Sequence, residues 1–173
     1  MKDNIKTYDN LINQKEFLNI YDTFTSHNFP WFLNKKTTHY EDDNNFLFGH
    51  ILWVDGQVNS DFYNTIINLQ NAVVSKSKHK RLMRIKANLY VNQGKNITHR
   101  KHTDYPNIND YTTCVYNLTT TNGGTVFYLP DEEYHIPSVQ NSLVVFDGTI
   151  EHSGVTQSDK DYRVLINFDY YED

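Results

Sequence analysis

The sequence predicts a mainly β protein with flanking helices, in a chain of 173 residues that can bury one sizeable core. Three observations support this class. Eight short β-type runs follow Lys80, two amphipathic helical stretches precede it, and aromatic residues make up 14% of the chain. We therefore expect a single domain, 1–173, in which residues 81–173 form a jelly-roll catalytic core and residues 1–80 form a helical and strand support.

The first helix is predicted over Asn13 to His27, where the apolar residues recur at helical spacing. It ends at Asn28-Phe29-Pro30, because the residue before a proline avoids the α region. Trp31 to Leu33 reads as a short strand. Lys35 to Asn45 is polar and without periodicity, so we expect a loop there.

The second helix is predicted to follow a strand and a turn. Phe46 to Val54 is a compact apolar run that indicates extended structure, and Asp55-Gly56 is a turn signal. Asn59 or Ser60 can then accept hydrogen bonds from the first amides of a helix. That helix runs from Asp61 to about Ser75, with its apolar residues in one broad stripe.

The second half of the chain is a succession of β-type runs, as expected for a sandwich or barrel. Asn122-Gly123-Gly124 and Asp147-Gly148 are read as turns between them. The predicted strands are Leu82 to Val91, Thr98 to Thr103, Tyr111 to Leu118, Thr125 to Leu129, Tyr134 to Ile136, Ser142 to Phe146, His152 to Val155 and Tyr162 to Tyr170.

Composition excludes several classes of protein. The net charge of -5 does not favour nucleic-acid binding, and no apolar run of about 18 residues predicts a membrane span. The single cysteine, Cys114, cannot form an internal disulfide, and Met1 to Asn10 lacks the apolar region of a signal peptide, so we expect a cytoplasmic protein. Eight histidines beside one cysteine predict nitrogen and oxygen ligands for any metal.

A metal site is suggested by the sequence His102-Thr103-Asp104. In a strand, residues i and i+2 point to the same face, so the imidazole and the carboxylate can reach one ion. His152, just beyond the Asp147-Gly148 turn, is the candidate third ligand. Two imidazoles and one carboxylate form the facial triad that leaves open positions on Fe(II).

An anion site is suggested by Arg163, one of four arginines, eleven residues after His152. A guanidinium can bind a carboxylate through two parallel hydrogen bonds. In a strand, Arg163, Leu165 and Asn167 share one face. A metal at one end of a barrel and this guanidinium deeper inside would together hold a short dicarboxylate.

From about Leu82 to Tyr170 the chain resembles the Fe(II)/2-oxoglutarate-dependent dioxygenases, and among them the prolyl 4-hydroxylase-like branch. The resemblance implies a double-stranded β-helix, the cupin-like form of the jelly roll. The residues that carry it are Leu89-Tyr90, His102-Thr103-Asp104, Thr113 to Leu118, Gly123-Gly124-Thr125, Ser142 to Asp147, His152 and Arg163.

The resemblance also assigns roles to individual side chains. The implied catalytic iron ligands are His102, Asp104 and His152. The implied pocket for 2-oxoglutarate comprises Arg163 and Tyr116 on its distal carboxylate, Tyr90 as lining, Val126 as wall and Asn167 as a polar neighbour.

The implied activity is hydroxylation of an organic substrate, coupled to conversion of 2-oxoglutarate and O₂ into succinate and CO₂. Fe(II), 2-oxoglutarate and O₂ are the implied cofactors, and ascorbate is an optional addition. The substrate could be a protein or peptide, with peptidyl proline suggested by the resemblance, or a small molecule. Related halogenases lack the carboxylate ligand, so the presence of Asp104 favours hydroxylation.

Two other functions stay open. One is a cupin-like zinc hydrolase or isomerase that uses His99, His102 and His152. His99 lies three residues before His102, so it faces the opposite side of a strand and reads as solvent-facing or substrate-facing. The other is a non-catalytic jelly-roll binding module with tyrosine-rich loops. The oligomeric state is open, and the basic cluster from Lys76 to Lys86 reads as a solvated surface or, alternatively, as a site for a phosphate-rich substrate.

Overall fold

The computed structural model describes residues 4–38, 40 and 44–171. Within these residues it has two α-helices, α1 (Gln14–Thr25) and α2 (Ile67–Lys76), and a 3₁₀ helix over Asp61–Ile66. The strands are β1 (Ile5–Tyr8), β2 (Phe32–Asn34), β3 (Leu47–Val54), β4 (Gln57–Val58), β5 (Arg81–Val91), β6 (Tyr111–Asn117), β7 (Thr121–Tyr128), β8 (Glu133–Ser138), β9 (Ser142–Asp147), β10 (His152–Val155) and β11 (Tyr162–Tyr171).

The strands form two antiparallel sheets. The larger has the order β1-β9-β6-β11-β5-β3-β2, with β4 paired to β3, and the smaller has the order β10-β7-β8. The mainly β class, the flanking helices and the jelly-roll core predicted from the sequence are therefore confirmed.

Each face of the larger sheet carries its own apolar core. On the outer face, Phe17 and Phe24 of α1 and Leu69 of α2 pack with sheet residues such as Ile166. Between the two sheets lies a smaller inner core, formed by Leu47, Tyr90, Val115, Phe127, Val144, Phe146, Ile150 and Leu165. Because the helices cover the outer face, the inner face is left for a site between the sheets.

Both predicted helices are present, and Ser60, one of the two predicted caps of the second, caps its first turn. Asn13 accepts a hydrogen bond from the Glu16 amide at 3.1 Å, which satisfies a free donor of the first turn of α1. Ser60 accepts one from the Phe62 amide at 3.3 Å. The second helix differs from the prediction because its first part, Asp61–Ile66, is 3₁₀. No described helix is both long and apolar enough to cross a membrane.

The N-terminal strand β1 was not predicted, because its four residues show no alternation of burial and its strand structure depends on pairing with β9. The predicted strand Thr98 to Thr103 is also wrong. This segment contributes two isolated bridges, Thr98 with Val155 and His102 with His152, and no continuous ladder.

The reading of Asn122-Gly123-Gly124 as a turn is wrong as well, since these residues lie within β7. The pairing of β7 with β8 shifts register between Thr121 and Gly124. A Cβ at position 124 would lie 2.2 Å from the carbonyl oxygen of Ile136. Gly124 is therefore needed because the backbone of β8 packs closely against it. It does not form a turn.

Candidate functional site

The candidate site lies on the inner face of β5 and β11. Alternate residues of β11 face the space between the sheets, and each pairs with an inward residue of β5. From one end of the ladder to the other, the facing pairs are Arg163 with Tyr90, Leu165 with Asn88, Asn167 with Lys86, and Asp169 with Arg84. The two strands thus line the inside of the roll with charged and amide side chains.

His102, Asp104 and His152 come together at the open side of this ladder. His102 and His152 exchange backbone hydrogen bonds of 3.0 and 2.9 Å, and their ring centroids are 4.7 Å apart. His152 Nε2 lies 3.5 Å from Asp104 Oδ2. The loop that carries His102 and the start of β10 therefore bring together residues fifty positions apart.

The two imidazoles are oriented by backbone carbonyls. His102 Nδ1 lies 2.9 Å from the carbonyl oxygen of Arg100, and His152 Nδ1 lies 3.1 Å from that of Ile150. A carbonyl accepts only, so in each neutral ring the proton is on Nδ1 and the lone pair is on Nε2. In metal sites, the histidine nitrogen that does not bind the metal commonly donates a hydrogen bond of this kind, which fixes the orientation of the ring.

Asp104 is held through one of its two oxygens. Arg84 donates to Oδ1 at 2.9 Å and contacts buried Asp169 at 2.9 Å. Burial opposes the negative charge of Asp104, but the His152 ring and Arg84 more than offset it and hold the pKa of the carboxyl well below its usual range. Asp104 Oδ2 is buried and accepts no hydrogen bond from any described group.

This donor set fits Fe(II). Imidazole nitrogens and a carboxylate oxygen are the ligands of the facial triad, and Asp104 Oδ2 has no hydrogen-bond donor among the described groups. Among residues 4–38, 40 and 44–171, no three His, Cys, Asp or Glu side chains are close enough to hold a metal ion as they stand. The side chains would have to close on the ion, and the assignment of His102, Asp104 and His152 as ligands stays a prediction.

Arg163 is 1% exposed, and it has no acidic partner in the part of the chain that the structure describes. Its Nη1 donates to the carbonyl of Val155 at 3.2 Å, its guanidinium lies 5.3 Å from the ring centre of Tyr90, and its Nε has no partner. Burial lowers the pKa of Arg163 to about 10. A buried cation in this state is an incomplete anion site.

A cavity of about 600 Å³ opens beside these groups, large enough for a small organic molecule. It is lined by Tyr90, His99, His102, Asp104 and Asn167, and the segment 33–38 forms its outer rim. The structure thus places two of the predicted pocket residues, Tyr90 and Asn167, in one cavity with two of the predicted metal ligands.

His99 lines this cavity too. It is buried against Tyr90, with 5.2 Å between the ring centres, so the reading of His99 as solvent-facing is wrong and the reading as substrate-facing is compatible with its position. Gly154 makes room for this pair, because a Cβ there would lie 2.8 Å from the Tyr90 hydroxyl.

Two of the predicted pocket residues face elsewhere. Tyr116 belongs to the outer core beneath the helices and donates to Asn141 Oδ1 at 2.8 Å. Its neighbour Asn117 pairs with Leu165 and has the inward position. Val126 lies on the face of β7 opposite to Phe127, and it is Phe127 that packs in the inner core. Both errors are shifts of one residue, which reverse the face of a strand.

No family model and no curated protein matches the chain, whereas solved structures do. An oxidoreductase of the 2OG-Fe(II) oxygenase family from Burkholderia pseudomallei aligns with a TM-score of 0.74 and 14% identity, over 98% of this chain and 86% of its own. The epimerase SnoN, in complex with Fe³⁺, alpha ketoglutarate and nogalamycin RO, gives 0.68 and 13%, over 98% and 79%. A prolyl hydroxylase bound to a hypoxia inducible factor peptide fragment, from Trichoplax adhaerens, gives 0.67 and 13%, over 98% and 84%.

The chain has the fold of the 2OG-Fe(II) oxygenases. The similarity covers nearly its whole length, including the first 80 residues, where the sequence shows no motif of the family. The resemblance inferred from the sequence is confirmed at the level of this fold. Proteins with this oxygenase fold include ones bound to a peptide and to a small molecule.

The structure divides the basic cluster from Lys76 to Lys86 between the surface and the cavity. Lys80 donates to carbonyls at the end of α2, and Lys78 pairs with Asp110 at 2.9 Å on the surface. Arg84 and Lys86, by contrast, lie in the cavity. Sequence reasoning missed them as site residues. Their spacing could have identified them. Arg84 and Lys86 lie six and four positions before Tyr90 on the same strand, and even spacings in a strand put side chains on one face.

Proposed function

We propose that this protein is an Fe(II)- and 2-oxoglutarate-dependent dioxygenase that hydroxylates an organic substrate, with release of succinate and CO₂. One observation carries the proposal. The buried cation of Arg163 lacks an acidic partner among the described residues and lies behind Tyr90, at the far end of the ladder from Arg84 and Asp104. A short dicarboxylate would supply the missing anion and still reach the imidazoles.

The side chains have distinct tasks in this proposal. His102, Asp104 and His152 would hold Fe(II), which together with 2-oxoglutarate and O₂ supplies the oxidising power for hydroxylation. Asp104 supplies a negatively charged carboxylate, and Arg84 keeps this carboxylate ionised and fixes its orientation. Arg163 binds the distal carboxylate through charge-assisted hydrogen bonds, and Tyr90 covers its guanidinium.

The inner core excludes water from this reaction space. The His152 ring packs against Phe146 and Phe127, with ring centres 4.9 and 6.3 Å apart. An apolar wall at this place protects a reactive oxidant from solvent and strengthens the charge interactions of Arg163.

The test is binding of Mn(II) and 2-oxoglutarate to the purified protein, followed by succinate formation with Fe(II) and O₂. We expect His102→Ala and Asp104→Ala to lose the metal, observed as loss of the bound Mn(II) signal in electron paramagnetic resonance. Arg163→Met should keep the metal and lose 2-oxoglutarate. The exposed Lys15→Met serves as a matched control that changes neither.

A zinc hydrolase, the alternative with His99 as a ligand, predicts metal binding that is indifferent to 2-oxoglutarate and to Arg163→Met. A non-catalytic binding module predicts no metal at all. Either result, or full 2-oxoglutarate binding by Arg163→Met, would contradict the proposed function. The finer predictions of peptidyl proline as substrate, ascorbate as cofactor and a cytoplasmic location rest on the sequence alone.

A further inference from the structure

Lys86 lines the cavity and is not bonded to any acidic side chain among the described residues. Lys86 forms no salt bridge and no hydrogen bond with any residue in the described ranges. The nearest acids, Asp104 and Asp169, are both engaged by Arg84 at 2.9 Å. Burial and the neighbouring Arg84 lower the pKa of Lys86 to about 8, and the attraction of Asp104 and Asp169 offsets this only in part.

Lys86 is fixed in its direction by the strand beside it. It lies next to Gly49 of β3, where a Cβ would come within 2.8 Å of Lys86 Cε and 2.6 Å of Asn34 Nδ2. The absence of a side chain at Gly49 therefore lets the lysine stem lie across β3 beside Asn34. Both Lys86 and Asn34 line the cavity.

Lys86 lies near the Arg84 end of the ladder, away from Arg163. In the ladder of β5 with β11, Lys86 pairs with Asn167 and Arg163 pairs with Tyr90, a separation of four residues or roughly 13 Å. Lys86 is also the inward neighbour of Arg84, which holds Asp104. A group bound by Lys86 would therefore lie beside the candidate metal site.

Other polar groups at this end favour an anion with hydrogen-bond donors. Lys35 also lines the cavity, and Asp104 is the one carboxylate among the described residues that line it. Asn88 is 4% exposed, and its Oδ1 has no partner among the described groups. It can accept a hydrogen bond from a hydroxyl or amine of a bound molecule.

We propose that the substrate is a small anionic molecule and that Lys86 binds its carboxylate or phosphate group. This inference rests on the proposed function, since it places the substrate beside the candidate iron site. The contacts support it, because Asp104 and Asp169 are both bonded to Arg84, whereas Lys86 has no bonded partner among the described residues. The volume of about 600 Å³ supports a small molecule.

The experiment is calorimetric titration of the full-length protein, loaded with Mn(II) and saturated with 2-oxoglutarate, with inorganic phosphate and separately with acetate. We expect at least one of the two anions to bind to the loaded wild-type protein. Lys86→Met should weaken that binding by about 10-fold or more and leave 2-oxoglutarate binding unchanged. Lys15→Met, an exposed lysine on α1, is the matched control and should bind the anions like wild type.

Gly49→Ala provides a second variant that keeps the charge. The added methyl group would displace Lys86 or Asn34, so we expect weaker anion binding with unchanged 2-oxoglutarate binding. The stronger of phosphate and acetate indicates which kind of anionic group the site prefers.

Three results would overturn the inference. They are unchanged anion binding by Lys86→Met, absence of anion binding to the loaded wild-type protein, and a weaker affinity of Lys86→Met for 2-oxoglutarate itself. If Mn(II) and 2-oxoglutarate do not bind, the proposed function fails. The same titration of the unloaded protein and its Lys86→Met variant then still decides whether Lys86 is an anion site.

Discussion

At the scale of single residues, the inside of the roll contains two arginines in opposite situations. Arg84 lies between Asp104 and Asp169, and these acids more than offset the effect of burial and raise its pKa. Arg163 is buried with a carbonyl and an aromatic ring as its contacts. The first arginine completes a network within the protein, whereas the second has no acidic partner among the described residues.

Arg163→Met should therefore have opposite effects on binding and on stability. Without ligand, methionine removes a buried cation that has no counter-ion, so unfolding in urea should show equal or greater stability than wild type. The affinity of the metal-loaded protein for 2-oxoglutarate should fall by about 100-fold, the equivalent of about 2.7 kcal/mol of charge-assisted hydrogen bonds. A variant that is less stable by 2 kcal/mol or more, on the order of a lost buried ion pair, would show that Arg163 is structural.

Arg84→Met should destabilise the protein, because it leaves Asp104 and Asp169 without their shared counter-ion. We expect a loss of about 3 kcal/mol in the free energy of unfolding, measured with urea. Arg81→Met is the control on the same strand, since Arg81 is exposed and its guanidinium lies over the ring of Tyr171, and it should cost less than about 1 kcal/mol. Equal losses in the two variants would contradict the role given to Arg84.

The identity of several site residues could be read from the sequence because their chemistry is scarce. The His102-Thr103-Asp104 pattern is weak by itself, and it gains weight from an arginine eleven residues after His152 in a chain with only four arginines. Tyr116 and Val126 could not be placed, because tyrosine and valine fit either face of a strand. Only the registers of β6 with β11 and of β7 with β8 show which residues face inward.

At the scale of elements, the sequence predicted most strands and both helices but not how β7 meets β8. Glycines favour turns in a single sequence, and Asn122-Gly123-Gly124 carries that signal. In the fold, however, the backbone of Ile136 approaches Gly124 too closely for any side chain. Local propensity is overruled here by the packing of a neighbouring strand.

Gly124→Ala should consequently distort the small sheet that carries His152. The new methyl group would meet the Ile136 carbonyl oxygen, and a backbone atom cannot rotate away. We expect a loss of about 2 kcal/mol in the free energy of unfolding. Gly94→Ala is the control, since Gly94 has open space around it and a φ of +78°, and should cost about 1 kcal/mol from backbone strain alone. The prediction is wrong if Gly124→Ala costs no more than Gly94→Ala.

At the scale of the whole molecule, the first 80 residues contribute strands to the sheet of the predicted core. β1 pairs with β9, and β3 pairs with β5 along most of its length. Breaking either ladder would expose an edge of the sheet on which the inner site is built. We therefore expect the two halves to unfold together, as the prediction of one domain requires.

Two natural probes can test this expectation. Both tryptophans, Trp31 and Trp53, lie in the first 80 residues, and the single buried cysteine, Cys114, lies in the second part. The urea midpoints from tryptophan fluorescence and from the reactivity of the Cys114 thiol should coincide. Two separate midpoints would show that residues 1–80 form an independent unit.

The sequence by itself determined the mainly β class and the two helices, and it predicted the chemistry of a candidate site built from His102, Asp104, His152 and Arg163. These follow from periodicity and from scarce residue types, which are local properties of the chain. Only the tertiary structure decided that Asn117 and not Tyr116 faces inward, and that Arg84 and Lys86 enter the cavity. The physical reason is that the face of a strand reverses at every residue, and its direction is set by pairing with strands that are distant in sequence.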